Sequence, residues 1–431
     1  MNTETTEAMS TISFRSALKV WLHIGLLSVG GPAAQIALMH RILVDEKKWL
    51  TENQYLHALN FCMLLPGPEA MQLATYAGWR LHGVVGGLAA GLSFVLPGAL
   101  VVAVLAGIYM SLGDVALVQG LFLGVKAVVL VIVLEALIRI SRRALKGAQH
   151  YVIAALAFIG IFFLSVPYPL IIALAALYGF WVYHDTDSDL PTVSLPATAG
   201  TETLKTVLTW LLIWSLPVAV LWLLGANELL INIATFFSKL AVVTFGGAYA
   251  VLAYMAQDVV TEHGWLSAGQ MMDGLGLAET TPGPLILVTE FVGFVAGYQA
   301  GGWSLAIGAA AVTLWVTFVP CFLWIFAGAP YIEWLGSQPR LRGALAAITA
   351  AVVGVIVNLS IWFGLHVLFR EIEPIDAGLI TLWKISLTSI NWVTLALTIV
   401  AAIMLLRLHI NVLWVLLVAA VAGMVFTLAG V

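Results

Sequence analysis

The chain has 431 residues, 62% of them hydrophobic and only 9% charged, with a formal net charge of −4 and a mean hydropathy of +1.04. That composition excludes an ordinary soluble domain and a disordered chain, and reads as a polytopic membrane protein. Two cysteines, Cys62 and Cys321, are too few and too widely spaced for a disulfide framework or a metal cluster.

In chain order, residues 1–12 form a polar tail that has neither the basic region nor the small-residue cleavage site of a signal peptide. Apolar stretches at or near the roughly 20 residues that span a bilayer as helix follow: Val115 to Ile138, Tyr151 to Phe163 continuing into Pro167 to Tyr183, and Val393 to Leu406. Their length favours helices over a barrel, whose signal is short alternating segments. The segments Trp49 to Leu65 and Trp265 to Thr281 are too polar or too short for full crossings, which leaves the span count at roughly ten to thirteen. The stretch from His184 to Lys205 is rich in Ser, Thr, Pro and Asp, a linker composition. It separates a first domain, 13–183, from a second, 206–431.

The two domains are copies. Gly30 to Pro68 aligned with Gly246 to Pro284, at a constant shift of 216 residues and without gaps, gives 14 identities in 39 positions. The matches include Gly30/Gly246, Gly31/Gly247, Glu46/Glu262, Trp49/Trp265, Gln54/Gln270 and a whole Pro-Gly-Pro, residues 66–68 and 282–284. Each copy continues through a glycine-rich run (Gly83, Gly87, Gly91; Gly297, Gly301, Gly302) whose spacing suits close helix packing in lipid. Matched loops carry opposite basic bias. Arg139, Arg142, Arg143 and Lys146 in the first copy face Arg370, Glu371, Glu373 and Asp376 in the second. Likewise HRILVDEKK holds Arg41, Lys47 and Lys48, whereas AQDVVTEHG holds no Lys or Arg. Short cytoplasmic loops collect Lys and Arg, so the copies are expected upside down relative to each other, a recurrent plan of secondary transporters. The fold class is therefore an all-α polytopic membrane protein of two homologous helical domains, arranged as inverted repeats with broken helices.

The residues VGGPAAQIALMHRILVDEKKWL and MLLPGPEAMQLATYAGW, then FGGAYAVLAYMAQDVV, TEHGWL and TTPGPLILVTEFVGFVAG, resemble the two signature regions of the chromate ion transporter family in its long two-domain form. The resemblance covers most of the chain. It implies a bacterial inner-membrane transporter that exports chromate, a tetrahedral dianion resembling sulfate, on the proton-motive force rather than ATP. The first motif departs from the usual Phe-Gly-Gly-Pro by starting at Val29, while the aromatic is kept in the second copy as Phe245. A transporter of sulfate or another oxyanion, or an anion channel, shares the same residues.

An oxyanion in lipid needs donors in place of water, and a broken helix offers N–H groups and the positive end of its dipole. Proline stops a helix yet is tolerated at a first helical position, so helices are expected to resume at Pro68 and Pro284. The substrate-binding candidates are thus Pro66, Gly67, Pro68, Pro282, Gly283 and Pro284, with Gln72, Thr280 and Thr281 beside them. Gly30, Gly31, Gly246 and Gly247 form a second class of break, where absent side chains admit a ligand. Charges at mid-bilayer cost roughly 2.5–3.5 kcal/mol and are functional candidates. Lys126 and Lys239 are the candidate counter-charges, and Glu69, Glu279, Glu290 and Glu135 the candidate proton carriers. Lys126 and Glu135 are too far apart in sequence to pair along one helix. Chromate or a sulfate-like oxyanion, protons and the lipid bilayer are the expected partners. No nucleic acid and no cofactor is expected, and a homodimer is the candidate assembly. An enzyme is disfavoured, because the chain has no H-E-x-x-H and no P-loop.

Overall fold

Apolar runs punctuated by glycine and proline fold here as helices, because lipid leaves every backbone group to find its partner within the protein. The computed structural model describes residues 12–113, 115–182, 199–245, 247–336, 338–376 and 381–430. The polar tail as far as residue 11, residues 184–198 of the linker and Gly246 lie outside the described residues. In the first copy the helices are α1 (Phe14–Leu27), α2 (Gly31–His40), α3 (Glu52–Leu64), α4 (Glu69–Leu112), α5 (Ala116–Ala144), α6 (Ala148–Phe162) and α7 (Tyr168–Val182). A connecting helix, α8 (Ala199–Leu223), begins inside the segment read as linker. The second copy repeats the series as α9 (Glu228–Val243), α10 (Ala248–Gln257), α11 (Ala268–Thr280), α12 (Val288–Gly328), α13 (Pro339–Leu368), α14 (Trp392–Ala402) and α15 (Val412–Leu428). Between α13 and α14 lies an antiparallel hairpin, β1 (Ile372–Asp376) and β2 (Thr381–Ile385). Among the described residues, five helical stretches are long and apolar enough to cross a membrane.

The duplication is preserved in local detail. Both α2 and α10 run into a π-helical turn, Arg41–Glu46 and Asp258–Glu262. Each turn closes with matched bonds, Lys47 N–H to Ile42 O and His263 N–H to Asp258 O, both 2.9 Å. Reciprocal caps then start the next helices. Thr51 and Gln54 exchange side-chain and backbone bonds of 3.1 and 3.3 Å, and Ser267 and Gln270 do the same at 2.9 and 3.1 Å. The helices so capped, α3 and α11, have 13 residues each, about 20 Å, too short to cross a bilayer.

The helices α4 and α12 are each two antiparallel arms. Gly83 (φ 61°) and Gly302 (φ 72°) turn the chain back, so that a Cβ on Gly91 would touch the Thr75 side chain and one on Gly293 that of Thr313. Gly83, grouped by sequence with the packing glycines, is thus the reversal itself, while Gly87 and Gly91 pack against Phe326 and Phe322. Outward from α4 run Leu96, Leu100, Val104 and Ile108, four residues apart and all exposed. An uninterrupted apolar stripe of that kind belongs against lipid. The run from Tyr151 to Tyr183 proves to be two 15-residue helices, α6 and α7. The basic residues Arg142 and Arg143 sit in the last turn of α5, where they complement the helix dipole.

Two compact units emerge, and neither coincides with one copy. The first comprises residues 1–105, 187–248 and 278–338; the second comprises 106–186, 249–277 and 339–431. Within the second unit, α5 of one copy packs on α14 and α15 of the other, and α13 packs on α6 and α7. Partners are therefore exchanged between copies. Glycines set the approach: Gly120 on α5 meets Gly423 on α15 backbone to backbone, and Gly343 on α13 meets Gly179 on α7.

Candidate functional site

Four interruptions of helix lie in the first unit: after α1, between α3 and α4, after α9, and between α11 and α12. Ser28 and Thr244, one repeat apart, end α1 and α9. Each is buried, and each hydroxyl donates to a carbonyl one turn back, Ile24 O at 2.6 Å and Leu240 O at 2.5 Å. Gly67 and Gly283, also one repeat apart, take left-handed conformations of φ 118° and 89° within the Pro-Gly-Pro turns. The bonds then cross between copies. Gly67 N–H donates to Thr244 O at 2.9 Å, and Gly283 N–H donates to Ser28 O at 2.8 Å. Each Pro-Gly-Pro break is thereby tied to the other copy's Gly-Gly break.

Helices resume beside the prolines, α4 at Glu69 and, after a 3-10 turn from Leu285 to Leu287, α12 at Val288. The N–H groups of Gly67 and Gly283 are occupied by the crossing bonds. The 3-10 turn takes the N–H of Val288 at the start of α12, so backbone donors for a ligand come from the first turns of α2 and α4, whose N–H groups have no acceptor within their own helices. Open space lies beside the Gly-Gly break, since a Cβ on Gly31 would meet nothing within 4 Å. Gly30 has φ 93° and Gly31 φ 78°, and a Cβ on Gly247 would lie 3.9 Å from Glu69 Oε1. A carboxylate thus stands at the edge of that break.

Two glutamines brace the arrangement. Gln72 Nε2 donates to Pro66 O at 2.6 Å, and Gln35 Nε2 donates to Gly283 O at 2.6 Å and to Ser28 O at 3.3 Å. Both are buried, and the Oε1 of each has no hydrogen-bond partner. Gln35 escaped the sequence reading because its partner is 248 residues away and its counterpart in the second copy is Val251. Thr281 is buried and its hydroxyl donates to Ala278 O, while Thr280 is half-buried on the last turn of α11. Glu279 and Glu290 are both buried, and Glu290 Oε2 has no hydrogen-bond partner.

Other candidates lie elsewhere. Lys239 is exposed on α9. Glu135 pairs with Arg139 one turn along α5, at 3.0 Å and half-exposed. Lys126, in the second unit, pairs with Asp273 of α11 at 3.3 Å. Asp273 was missed because sequence reasoning sought a partner for Lys126 on its own helix. A lone acid in MMDGLGLA was the available signal. A cleft of about 570 Å³ between α6 and α7 is lined by Val152, Leu156, Ile171 and Leu174. With no charged lining, it suits a lipid tail rather than an oxyanion.

A family model described as Chromate transporter matches residues 16–180 and 231–424, one segment in each copy. A chromate transport protein of Pseudomonas aeruginosa is 34% identical over 363 residues, 82% of each chain. That of Cupriavidus metallidurans is 29% identical over 385 residues, 88% of each chain. An uncharacterized transporter of Bacillus subtilis, YwrB, is 28% identical over 174 residues, which make up 88% of that protein but 40% of this chain. The last is about the length of one copy. No solved structure matches the chain.

Proposed function

Because the chain belongs to the chromate transporter family, we propose that it is a secondary transporter exporting chromate across the bacterial inner membrane on the proton-motive force. The observation that carries the site is the crosswise pair of bonds, Gly67 to Thr244 and Gly283 to Ser28. Contacts that swap partners under the 216-residue repeat are what a two-fold axis produces; a simple translation gives none. The reversed loop charges favour an axis in the membrane plane and hence inverted repeats. An oxyanion then sits in the open space beside Gly31, against the positive end of the helix that begins there. Crossing bonds hold the break geometry, and the buried amides of Gln35 and Gln72 keep it in place.

Glu69, Glu279 and Glu290 stand by the breaks as carriers for the driving proton. Glu290, buried with an unpartnered oxygen, is best placed, since a carboxyl so situated accepts a proton without breaking a structural bond. Purified protein in liposomes is expected to accumulate chromate above equilibrium under an imposed pH gradient and membrane potential. Movement of sulfate but not chromate would favour another oxyanion as substrate, and downhill flux without accumulation would favour a channel. Glu290→Gln, a neutral isostere, is expected to retain downhill chromate flux while accumulation falls to the equilibrium level. Wild-type accumulation in that variant would remove Glu290 from the coupling.

A further inference from the structure

We propose that Lys126 and the first turn of α11 form a second oxyanion position, closed by the carboxylate of Asp273 and opened when that carboxylate takes up a proton. The inference rests on the transporter reading and adds a residue, Asp273, that neither composition nor motif singled out.

All of its parts lie in the second unit. Lys126 Nζ is 3.3 Å from Asp273 Oδ1, and the Tyr109 hydroxyl donates to Asp273 Oδ2 at 2.9 Å. The two oxygens are held differently. Oδ2 has the phenol, whereas Oδ1 is buried and faces the ammonium as an ion pair. The side chain of Asp273 is 5% exposed and that of Lys126 is 27% exposed. An ion arriving from outside therefore reaches the ammonium before the carboxylate.

The position already has the character of an anion site. A Cβ on Gly269 would lie 3.3 Å from Lys126 Nζ, so the ammonium rests against the second residue of α11. The cap between Ser267 and Gln270 serves the N–H groups of those two residues. The N–H groups of Ala268 and Gly269 have no acceptor within the helix. An ammonium and a helix N-terminus are both positive, and placing them together is favourable only with an anion between them. Asp273 supplies that negative charge in this structure.

The pair is also single. The residue one repeat before Asp273 is His57, and the register that matches Gly120 with Gly343 sets Thr349 opposite Lys126. The capping boxes, π-helical turns and Pro-Gly-Pro breaks that build the scaffold occur in both copies. A buried ion pair kept only for packing has no advantage over apolar residues of similar volume.

Proton uptake from water onto Oδ1 converts the carboxylate to the neutral acid, and Tyr109 can stay on Oδ2. The ammonium is then free to hold a tetrahedral dianion over Ala268 and Gly269, and loss of the proton restores the pair and expels the anion. Among the described residues, the charged or titratable groups in contact with Asp273 are Lys126 from α5 and Tyr109 from α4.

The test is equilibrium binding to the purified full-length protein across the neutral pH range. Chromate is one probe and sulfate, which does not itself titrate there, is the other. In the wild type, affinity is expected to weaken as pH rises, approaching about tenfold per pH unit, as linkage to one proton requires. In Asp273→Asn the affinity should stay near its acidic limit at every pH. The double variant Lys126→Gln/Asp273→Asn has no unpaired buried charge, which keeps the test open should the single variant misfold. It should remain folded, bind an anion at this position at least about tenfold more weakly than wild type at acidic pH, and lose the pH dependence that Asp273 contributes. A wild-type pH profile in Asp273→Asn, or wild-type affinity in the double variant, would overturn the proposal. If the wild type moves no chromate in liposomes, the transporter reading itself fails.

Discussion

Gly67→Val is expected to abolish chromate transport and to lower the stability of the purified protein by roughly 2–6 kcal/mol, the sum of backbone strain and overpacking. Gly67 holds φ 118°, a conformation that a β-branched residue does not adopt without strain. A Cβ there would also lie 2.8 Å from Gln72 Nε2 and 3.0 Å from Cys321 Sγ, both buried and with little freedom to move. The strain falls on the residue whose N–H ties the first Pro-Gly-Pro to Thr244 O. Gly283→Val is expected to match it, since it breaks the bond to Ser28. Gly31→Ala supplies the contrast. Its φ of 78° costs about 1–2 kcal/mol, but a methyl there meets nothing within 4 Å. A fold that survives in Gly31→Ala while transport falls would mark the open space as the anion's. Thermal unfolding in detergent and liposome flux separate the two outcomes.

Gly423→Leu is expected to cost about 3 kcal/mol or more and to deplete folded protein, at or beyond the usual range for overpacking. The glycine faces the carbonyl of Gly120 across the α5–α15 seam, so a side chain meets backbone, which cannot turn aside. Val421, two residues earlier, is exposed, and Val421→Leu should change stability by no more than about 0.5 kcal/mol. Comparing the two thermal transitions separates loss of the seam from any general effect of a larger apolar residue. Gly179→Leu, whose side chain meets the carbonyl of Gly343 in the corresponding seam, is expected to behave like Gly423→Leu.

Features written in neighbouring residues were legible in the sequence. The Pro-Gly-Pro breaks, the 216-residue repeat and the short segments around α3 and α11 all rest on local turn chemistry or on matched identities. Gln54 and Gln270 appeared as mere identities; their use as capping partners follows once Thr51 and Ser267 are seen three residues ahead. What stayed hidden depends on distant partners. Gly67 meets Thr244 across 177 positions, and Lys126 meets Asp273 across 147. No periodicity encodes such pairs. Sequence reasoning grouped Pro-Gly-Pro with Pro-Gly-Pro and Gly-Gly with Gly-Gly, because like resembles like. The observed bonds instead join unlike positions of the two copies. The reversal at Gly83 was also masked, because the apolar run passes through it unbroken and glycine spacing alone reads as packing.

The most direct measurement of the central claim, that the two copies lie inverted and meet through their breaks, is the accessibility of paired cysteines. Glu46 and Glu262 are one repeat apart, and both are exposed at the end of a π-helical turn. The native Cys62 and Cys321 are buried and contribute little background. With Glu46→Cys and Glu262→Cys made separately, a membrane-impermeant maleimide applied to intact cells and to inside-out vesicles is expected to reach them from opposite sides. Glu46→Cys should react from the cytoplasmic face, where the basic loop places it. Labelling of both positions from the same side would contradict the inverted arrangement.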